Sequence, residues 1–207
     1  MRAEVAIIDY GVGNLRSVEK AFGAMNCEAL VSGDADVLRA AKRLVLPGVG
    51  AFGACMNELR ARGFDQLVYE RVAEGTPLLG VCVGMQMLFA ESEEFGRTAG
   101  LGLLGGRVRR FPQELLVPQM GWNQVSRRVA HPLIAGIEEG AFFYFVHSYY
   151  CEPEEREVVL GETEYGGAYA SIVGRGRVCG VQFHPEKSQA AGLRLLRNFA
   201  EFEACES

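Results

Sequence analysis

The chain has 207 residues, 49% of them hydrophobic, and 26 acidic against 21 basic side chains give it a net charge of −5. That length holds one sizeable core and is most simply a single domain over residues 1–207. The mild acidity, without any Lys/Arg run, argues against nucleic acid as the main partner, and no stretch approaches the roughly 18 consecutive apolar residues of a membrane span.

In chain order, residues 5–9 form a short apolar strand ending in Asp9, too short for a signal-peptide core, so a cytoplasmic location without membrane contact is expected. Leu15, Val18, Phe22 and Met25 then recur at helical spacing. Residues 29–31 make a second strand, and Asp34 caps a short helix through Arg39. Residues 44–46 are a third strand, which Pro47 is expected to end. Phe52, Cys55, Met56 and Leu59 mark a helix stopped by Gly63; Phe64, Leu67, Val68 and Val72 mark another stopped by Gly75. A buried strand at 76–79, a sharp turn at 80–84 and a helix at 85–90 follow. The second half is richer in strands, at 108–111, 122–126, 142–146, 158–160, 169–173 and 178–183, separated by short polar or Gly-containing turns. The charged stretch 152–157 reads as a solvated turn, and a helix carrying Leu195, Leu196, Phe199 and Phe202 closes the chain. The expected class is α/β: an open, mostly parallel sheet with helices on both faces and an antiparallel, strand-rich part in the second half.

Chemistry concentrates at Gly80-Val81-Cys82-Val83-Gly84, which has the form of a nucleophile elbow with a thiol at its tip. A strand turning sharply into a helix needs small residues at 80 and 84, and it lifts the sulfur to a helix N-terminus, where a thiolate is favoured. The same pentapeptide also fits a core cysteine flanked by glycines. The other cysteines, at 27, 55, 151, 179 and 205, form no C-x-x-C pair, so zinc is not expected. Cys55 and Cys179 lie on apolar faces and read as core, and no chemistry is assigned to any of the five.

A cysteine nucleophile needs a base, and there are three histidines. His131 precedes Pro132 in a polar turn. His184 and Glu186 lie two apart at a strand end and share a face of an extended segment. With Cys82 they compose a Cys-His-Glu triad in which the carboxylate orients the imidazole. His147, at the end of another strand, is the alternative base. Pro47-Gly48-Val49-Gly50 follows a parallel strand and precedes a helix, which suits an oxyanion hole made with the N–H of Val83. A phosphate loop fits less well, since no Lys-Ser/Thr follows; Gly11-Val12-Gly13 fails the dinucleotide pattern at Arg16.

The blocks Gly80-Val81-Cys82-Val83-Gly84-Met85-Gln86, Pro47-Gly48-Val49-Gly50-Ala51-Phe52 and Phe183-His184-Pro185-Glu186-Lys187-Ser188 resemble class I, triad-type glutamine amidotransferases, a flavodoxin-like family. More narrowly, Asp9-Tyr10-Gly11-Val12-Gly13-Asn14, Pro118-Gln119-Met120-Gly121-Trp122-Asn123 and Phe143-Tyr144-Phe145-Val146-His147-Ser148-Tyr149 are similar to the glutaminase subunits of imidazole glycerol phosphate synthases. Val83 departs from the leucine common in related domains. The resemblance implies hydrolysis of L-glutamine through a thioester on Cys82, with His184 as base and acid and Glu186 as orienter. It implies an oxyanion hole at Val49 and Val83, and a substrate pocket formed by Gly50, Gln86, Ser148 and Tyr149. No cofactor or metal is implied. It also implies a heterodimer with a (β/α)8-barrel cyclase, which receives ammonia for imidazole glycerol phosphate and AICAR synthesis in histidine biosynthesis. Asn14, Met120, Gly121, Trp122, Tyr144 and Lys187 occupy positions resembling that interface. The oxyanion loop is expected to be misoriented until the cyclase and its substrate bind. A stand-alone hydrolase of γ-glutamyl substrates, the glutaminase of another amidotransferase, or a non-catalytic regulator are the competing expectations.

Overall fold

The structure, a computed structural model, describes residues 3–201; Phe202 and Cys205 lie outside them. Strand β1 (Val5–Ile8) leads through helix α1 (Leu15–Gly23) to β2 (Ala29–Ser32), and α2 (Ala35–Ala40) leads to β3 (Arg43–Gly48). Helices α3 (Phe52–Ala61) and α4 (Phe64–Ala73) then return the chain to β4 (Leu78–Cys82), followed at once by the short α5 (Val83–Met87). The second half contains β5 (Phe89–Ser92), β6 (Thr98–Ala99), β7 (Leu104–Arg110), β8 (Gln119–Gln124), β9 (Ser126–Arg127), β10 (Phe142–His147), β11 (Tyr149–Pro153), β12 (Val159–Glu164), β13 (Ala168–Arg175) and β14 (Val178–Val181); α6 (Gln189–Ala200) follows.

The main sheet is twelve-stranded, ordered β2-β1-β3-β4-β14-β13-β11-β7-β5-β6, with β12 attached to β13 and β9 attached to β12. From β2 to β14 the strands run parallel, and β13, β11 and β7 continue the sheet antiparallel. The step from β1 to β2 runs one way across the sheet and the steps from β2 to β3 to β4 run the other way. Right-handed crossovers therefore place α1 on one face and α2, α3 and α4 on the other. Strands β1, β3 and β4 are covered on both sides, which is why each reads as a nearly continuous apolar run. A separate antiparallel ribbon pairs β8 with β10.

Local signals account for most boundaries. The Asp34 side chain accepts from the N–H groups of Asp36 (2.8 Å) and Val37 (3.4 Å), capping α2 as its sequence position implies. Gly63 and Gly75 follow α3 and α4 with φ of 69° and 80°.

Several expectations are corrected. Pro47 does not end β3, which continues to Gly48 opposite Cys82. Leu44 N–H donates to Pro77 O on the β4 side, so by alternation Pro47 faces β1, beyond the last β1 pair at Val45. Its missing N–H costs no ladder bond there, and its carbonyl accepts from Tyr10 Oη at 2.6 Å. Strand β4 starts at Leu78 rather than residue 76 and runs through Cys82, and the helix after it stops at Met87, because Phe89 pairs with Leu104 as part of β5. Strands β5, β6 and β11 have no counterpart in the expected set, and Glu152 and Pro153 belong to β11 rather than to a turn.

Candidate active site

Cys82 ends β4 with φ 55° and ψ −114°, a conformation that costs a side-chain-bearing residue about 1–3 kcal/mol and persists only when its surroundings enforce it. The enforcement is visible at the flanking glycines. A Cβ on Gly80 would lie 2.6 Å from Gly84 O, and one on Gly84 would overlap the carbonyl oxygen of Leu46 in β3. The turn is therefore wedged between two strands, and it presents the thiol at the carboxyl end of the sheet.

His184 sits just beyond the end of β14, the strand beside β4. Its Nδ1–H donates to Glu186 Oε1 at 3.0 Å, and both side chains are almost fully buried. The two groups meet because residues 185–187 form a 3-10 turn, not because they alternate along a strand, which corrects the expected geometry. Ser188 locks this turn. Its hydroxyl donates to His184 O at 2.6 Å and accepts from Tyr144 N–H at 3.0 Å, while His184 N–H donates to Tyr144 O at 2.9 Å. Burial alone would lower the imidazole's pKa, but hydrogen bonding to Cys82 and Glu186, together with their charges, outweighs it and pushes His184 up to about 10. Nδ1 is committed to Glu186, so Nε2 is the nitrogen left for Cys82.

His147 is the other histidine lining the same cavity, and its environment has the opposite effect. Burial, acting against a hydrogen bond to Tyr149 O and reinforced by the nearby His184, pushes it down to about 4. Its Nδ1–H donates to Tyr149 O at 2.8 Å and Nε2 faces Tyr169 Oη at 3.2 Å. Tyr169 in turn lies 2.9 Å from the Gln119 amide. A neutral imidazole fixed at both nitrogens is a structural member of a buried network. Among the described residues, His184 is the histidine that pairs with the thiol.

The cavity holds about 320 Å³ and is lined by Val49, Gly50, Cys82, Val83, Gln86, Glu94, Pro118, Val146, His147, Ser148, Tyr149 and His184. Every residue expected for the triad, oxyanion hole and substrate pocket lines it, apart from Glu186, which backs His184. Both Gln86 amide hydrogens are used internally, on Tyr149 O (3.0 Å) and Gln182 Oε1 (3.1 Å), so its carbonyl end is what remains for a ligand. Tyr149 O accepts from both His147 and Gln86, which occupies both its lone pairs, and Ser148 O accepts from Phe111 N–H.

Two contributors escape sequence reasoning. Glu94, in the loop between β5 and β6, brings the only carboxylate among the cavity-lining residues. One of its oxygens accepts from Phe52 N–H at 2.6 Å, capping α3 from a distant segment. Gln182, fully buried, points its amide nitrogen at Cys82 Sγ over 3.9 Å. Nothing marked Glu94 within Glu91-Ser92-Glu93-Glu94, and Gln182 was hidden inside an apolar strand, although a buried glutamine two residues before a candidate base was a usable signal.

The residues expected at an interface lie mainly on the β8–β10 ribbon. Trp122 is paired with Tyr144, their rings 6.1 Å apart, and Lys187 Nζ stands 5.7 Å from the centre of the Tyr144 ring. Met120 is 65% and Trp122 46% exposed, so Trp122 is not a core residue. Gly121 (φ 131°) lies between them, and Asn14 precedes α1 without capping it through its side chain.

A family profile described as "Glutamine amidotransferase class-I" matches residues 6–202. The chain belongs to this amidotransferase family. Among curated relatives, "Imidazole glycerol phosphate synthase subunit HisH" of Syntrophotalea carbinolica is 48% identical over 95% of this chain and 99% of its own length. The protein of the same name from Symbiobacterium thermophilum is 51% identical over 95% and 93%. Solved structures agree on the amidotransferase fold. "Structure of PurLQS from Thermotoga maritima" superposes with a TM-score of 0.79 at 17% identity, over 97% of this chain and 99% of that one. "Crystal structure of glutamine amidotransferase" gives 0.76 at 24%, over 96% and 98%.

Proposed function

We propose that this chain is the glutaminase subunit of an imidazole glycerol phosphate synthase, a cytoplasmic enzyme that hydrolyses L-glutamine and passes ammonia to a cyclase subunit. The observation that carries the reading is a buried His184–Glu186 pair facing a strained Cys82 at the wall of a cavity large enough for an amino acid. The relatives' names agree with it.

In this mechanism Cys82 Sγ attacks the side-chain amide carbon of glutamine, and the carbonyl oxygen becomes an oxyanion held by the N–H groups of Val83 and Val49. His184 passes its Nε2 proton to the departing amine, the C–N bond breaks, and ammonia leaves a glutamyl thioester on Cys82. His184, now neutral, takes a proton from water. The hydroxide adds to the thioester, glutamate departs, and the sulfur returns to its starting state. Glu186 holds the imidazolium throughout. Glu94 offers a carboxylate for the substrate ammonium, with the Gln86 carbonyl as a second acceptor, while the Tyr149 N–H and the Ser148 hydroxyl suit the substrate carboxylate.

The exposed Met120 and Trp122 and the half-buried Tyr144, with Asn14, Gly121 and Lys187, form the face on which a (β/α)8-barrel cyclase docks in a heterodimer. Tyr144 supports this reading: its ring lies on that face while its backbone holds His184 and Ser188. A glutaminase assay of the chain and of Cys82→Ala, each with and without the candidate cyclase, tests the proposal. Ammonia release that survives Cys82→Ala overturns the mechanism, and a high rate indifferent to the cyclase overturns the partnership.

A further inference from the structure

We infer that Tyr10 and Cys55 are positioning residues for the oxyanion loop: they pin the peptides on either side of Gly48–Val49 and leave that one peptide free to turn. Tyr10 Oη–H donates to Pro47 O at 2.6 Å, and Cys55 Sγ–H donates to Val49 O at 3.3 Å. The first carbonyl belongs to the Pro47–Gly48 peptide and the second to the Val49–Gly50 peptide. Between them lies Gly48–Val49, whose N–H is the one the proposed mechanism needs.

The direction of that N–H follows from the ladder. Leu44 faces β4, donating to Pro77 O, so Leu46 and Gly48 face β4 as well. The Gly48 carbonyl therefore points to the Cys82 side. In a trans peptide the N–H points the opposite way, so Val49 N–H is aimed away from the thiol. Bringing it to the oxyanion requires rotation of this peptide, and the two pins keep that rotation from spreading into β3 or α3.

Burial favours such a device. Tyr10 and Cys55 are fully buried and touch each other, whereas Val49 is 37% exposed. Burial raises both the phenol and the thiol above their ordinary pKa values, so each keeps its proton and remains a donor at neutral pH. Gly48 leaves no slack beneath the loop, since a Cβ there would come 2.7 Å from Gly84 N and 3.1 Å from Tyr10 Oη.

The inference rests on the glutaminase reading, and the test separates the two. Tyr10→Phe, Cys55→Ala and Cys55→Ser are assayed for glutamine hydrolysis in the presence of saturating cyclase. Site-specific alkylation of Cys82 by iodoacetamide, a displacement that forms no oxyanion, is followed by mass spectrometry alongside. The expected result is a kcat about three- to tenfold lower in Tyr10→Phe and Cys55→Ala, the worth of one hydrogen bond, with KM and the Cys82 alkylation rate unchanged and kcat recovered in Cys55→Ser. Unchanged kcat in both deletion variants overturns the inference, as does a parallel fall in alkylation, which would mean general damage to the site. Failure of the glutaminase reading looks different: it shows as no Cys82-dependent hydrolysis in the unaltered chain.

Discussion

Replacing Glu186 by glutamine tests how the triad is charged. The substitution keeps the shape and leaves an acceptor for His184 Nδ1–H, 3.0 Å away, but removes a negative charge from a side chain that is 1% exposed. A buried opposite charge at hydrogen-bond distance shifts a pKa by about 1–3 units. His184, held near 10 in the unaltered chain, should therefore titrate lower in Glu186→Gln. Each unit is worth about 1.4 kcal/mol of stabilisation of the imidazolium that pairs with the attacking thiolate, so loss of one or two units lowers the population of that ion pair, and with it kcat, by about 10- to 100-fold. The sign for stability follows from the same shift. The folded pKa lies above the ordinary 6.5, so the protonated imidazole's contribution is complete near pH 6.5 and disappears as pH rises through about 10. The unaltered chain should thus be more stable than the variant near pH 6.5, and the gap should narrow at higher pH. NMR titration of the His184 ring in both chains measures the shift directly. A midpoint in Glu186→Gln equal to or above that of the unaltered chain refutes the reasoning.

Other outcomes follow from single contacts. Gly80→Ala would place a Cβ 2.6 Å from Gly84 O and 2.8 Å from Met85 Cα, both backbone atoms that cannot swing aside. It should cost about 1–3 kcal/mol in denaturant unfolding and about 100-fold in turnover through displacement of the thiol. Glu94→Gln should raise KM for glutamine about tenfold or more by removing a charge-assisted contact, with kcat little changed in the same steady-state assay. Trp122→Ala should weaken cyclase binding by about 30-fold, read by calorimetry, without lowering the melting temperature of the isolated chain, because the ring is half exposed.

What the sequence revealed and what it concealed have physical reasons. The elbow was legible because Gly80 is dictated by crowding within the turn itself, and so was the cap at Asp34, whereas the β3 carbonyl that dictates Gly84 is distant in the chain. His184 and Glu186 were legible as a pair because both belong to one short segment, although the 3-10 turn that joins them was not. Strand β5 was hidden because Phe89 and Ala90 prolong the apolar run of α5; only pairing with β7 draws them out of the helix. Strand β11 carries charges because Glu152 lies between Arg107 and Arg109 of β7, at 2.9 and 3.1 Å, a cross-strand partnership with no local trace. Glu94 reaches the cavity only after β5 and β6 pair, and Cys55 looked like plain core because its bond to Val49 O depends on how α3 meets the loop.

The central claim is that glutamine is hydrolysed through a thioester on Cys82. Acid quenching of the chain during turnover with glutamine and cyclase, followed by peptide mass spectrometry, examines it most directly. The account predicts a glutamyl adduct on the peptide bearing Cys82, accumulating within the first turnovers and absent from Cys82→Ala, which should also release no ammonia above background. Ammonia release from Cys82→Ala at the rate of the unaltered chain, or an adduct on another residue, would contradict it.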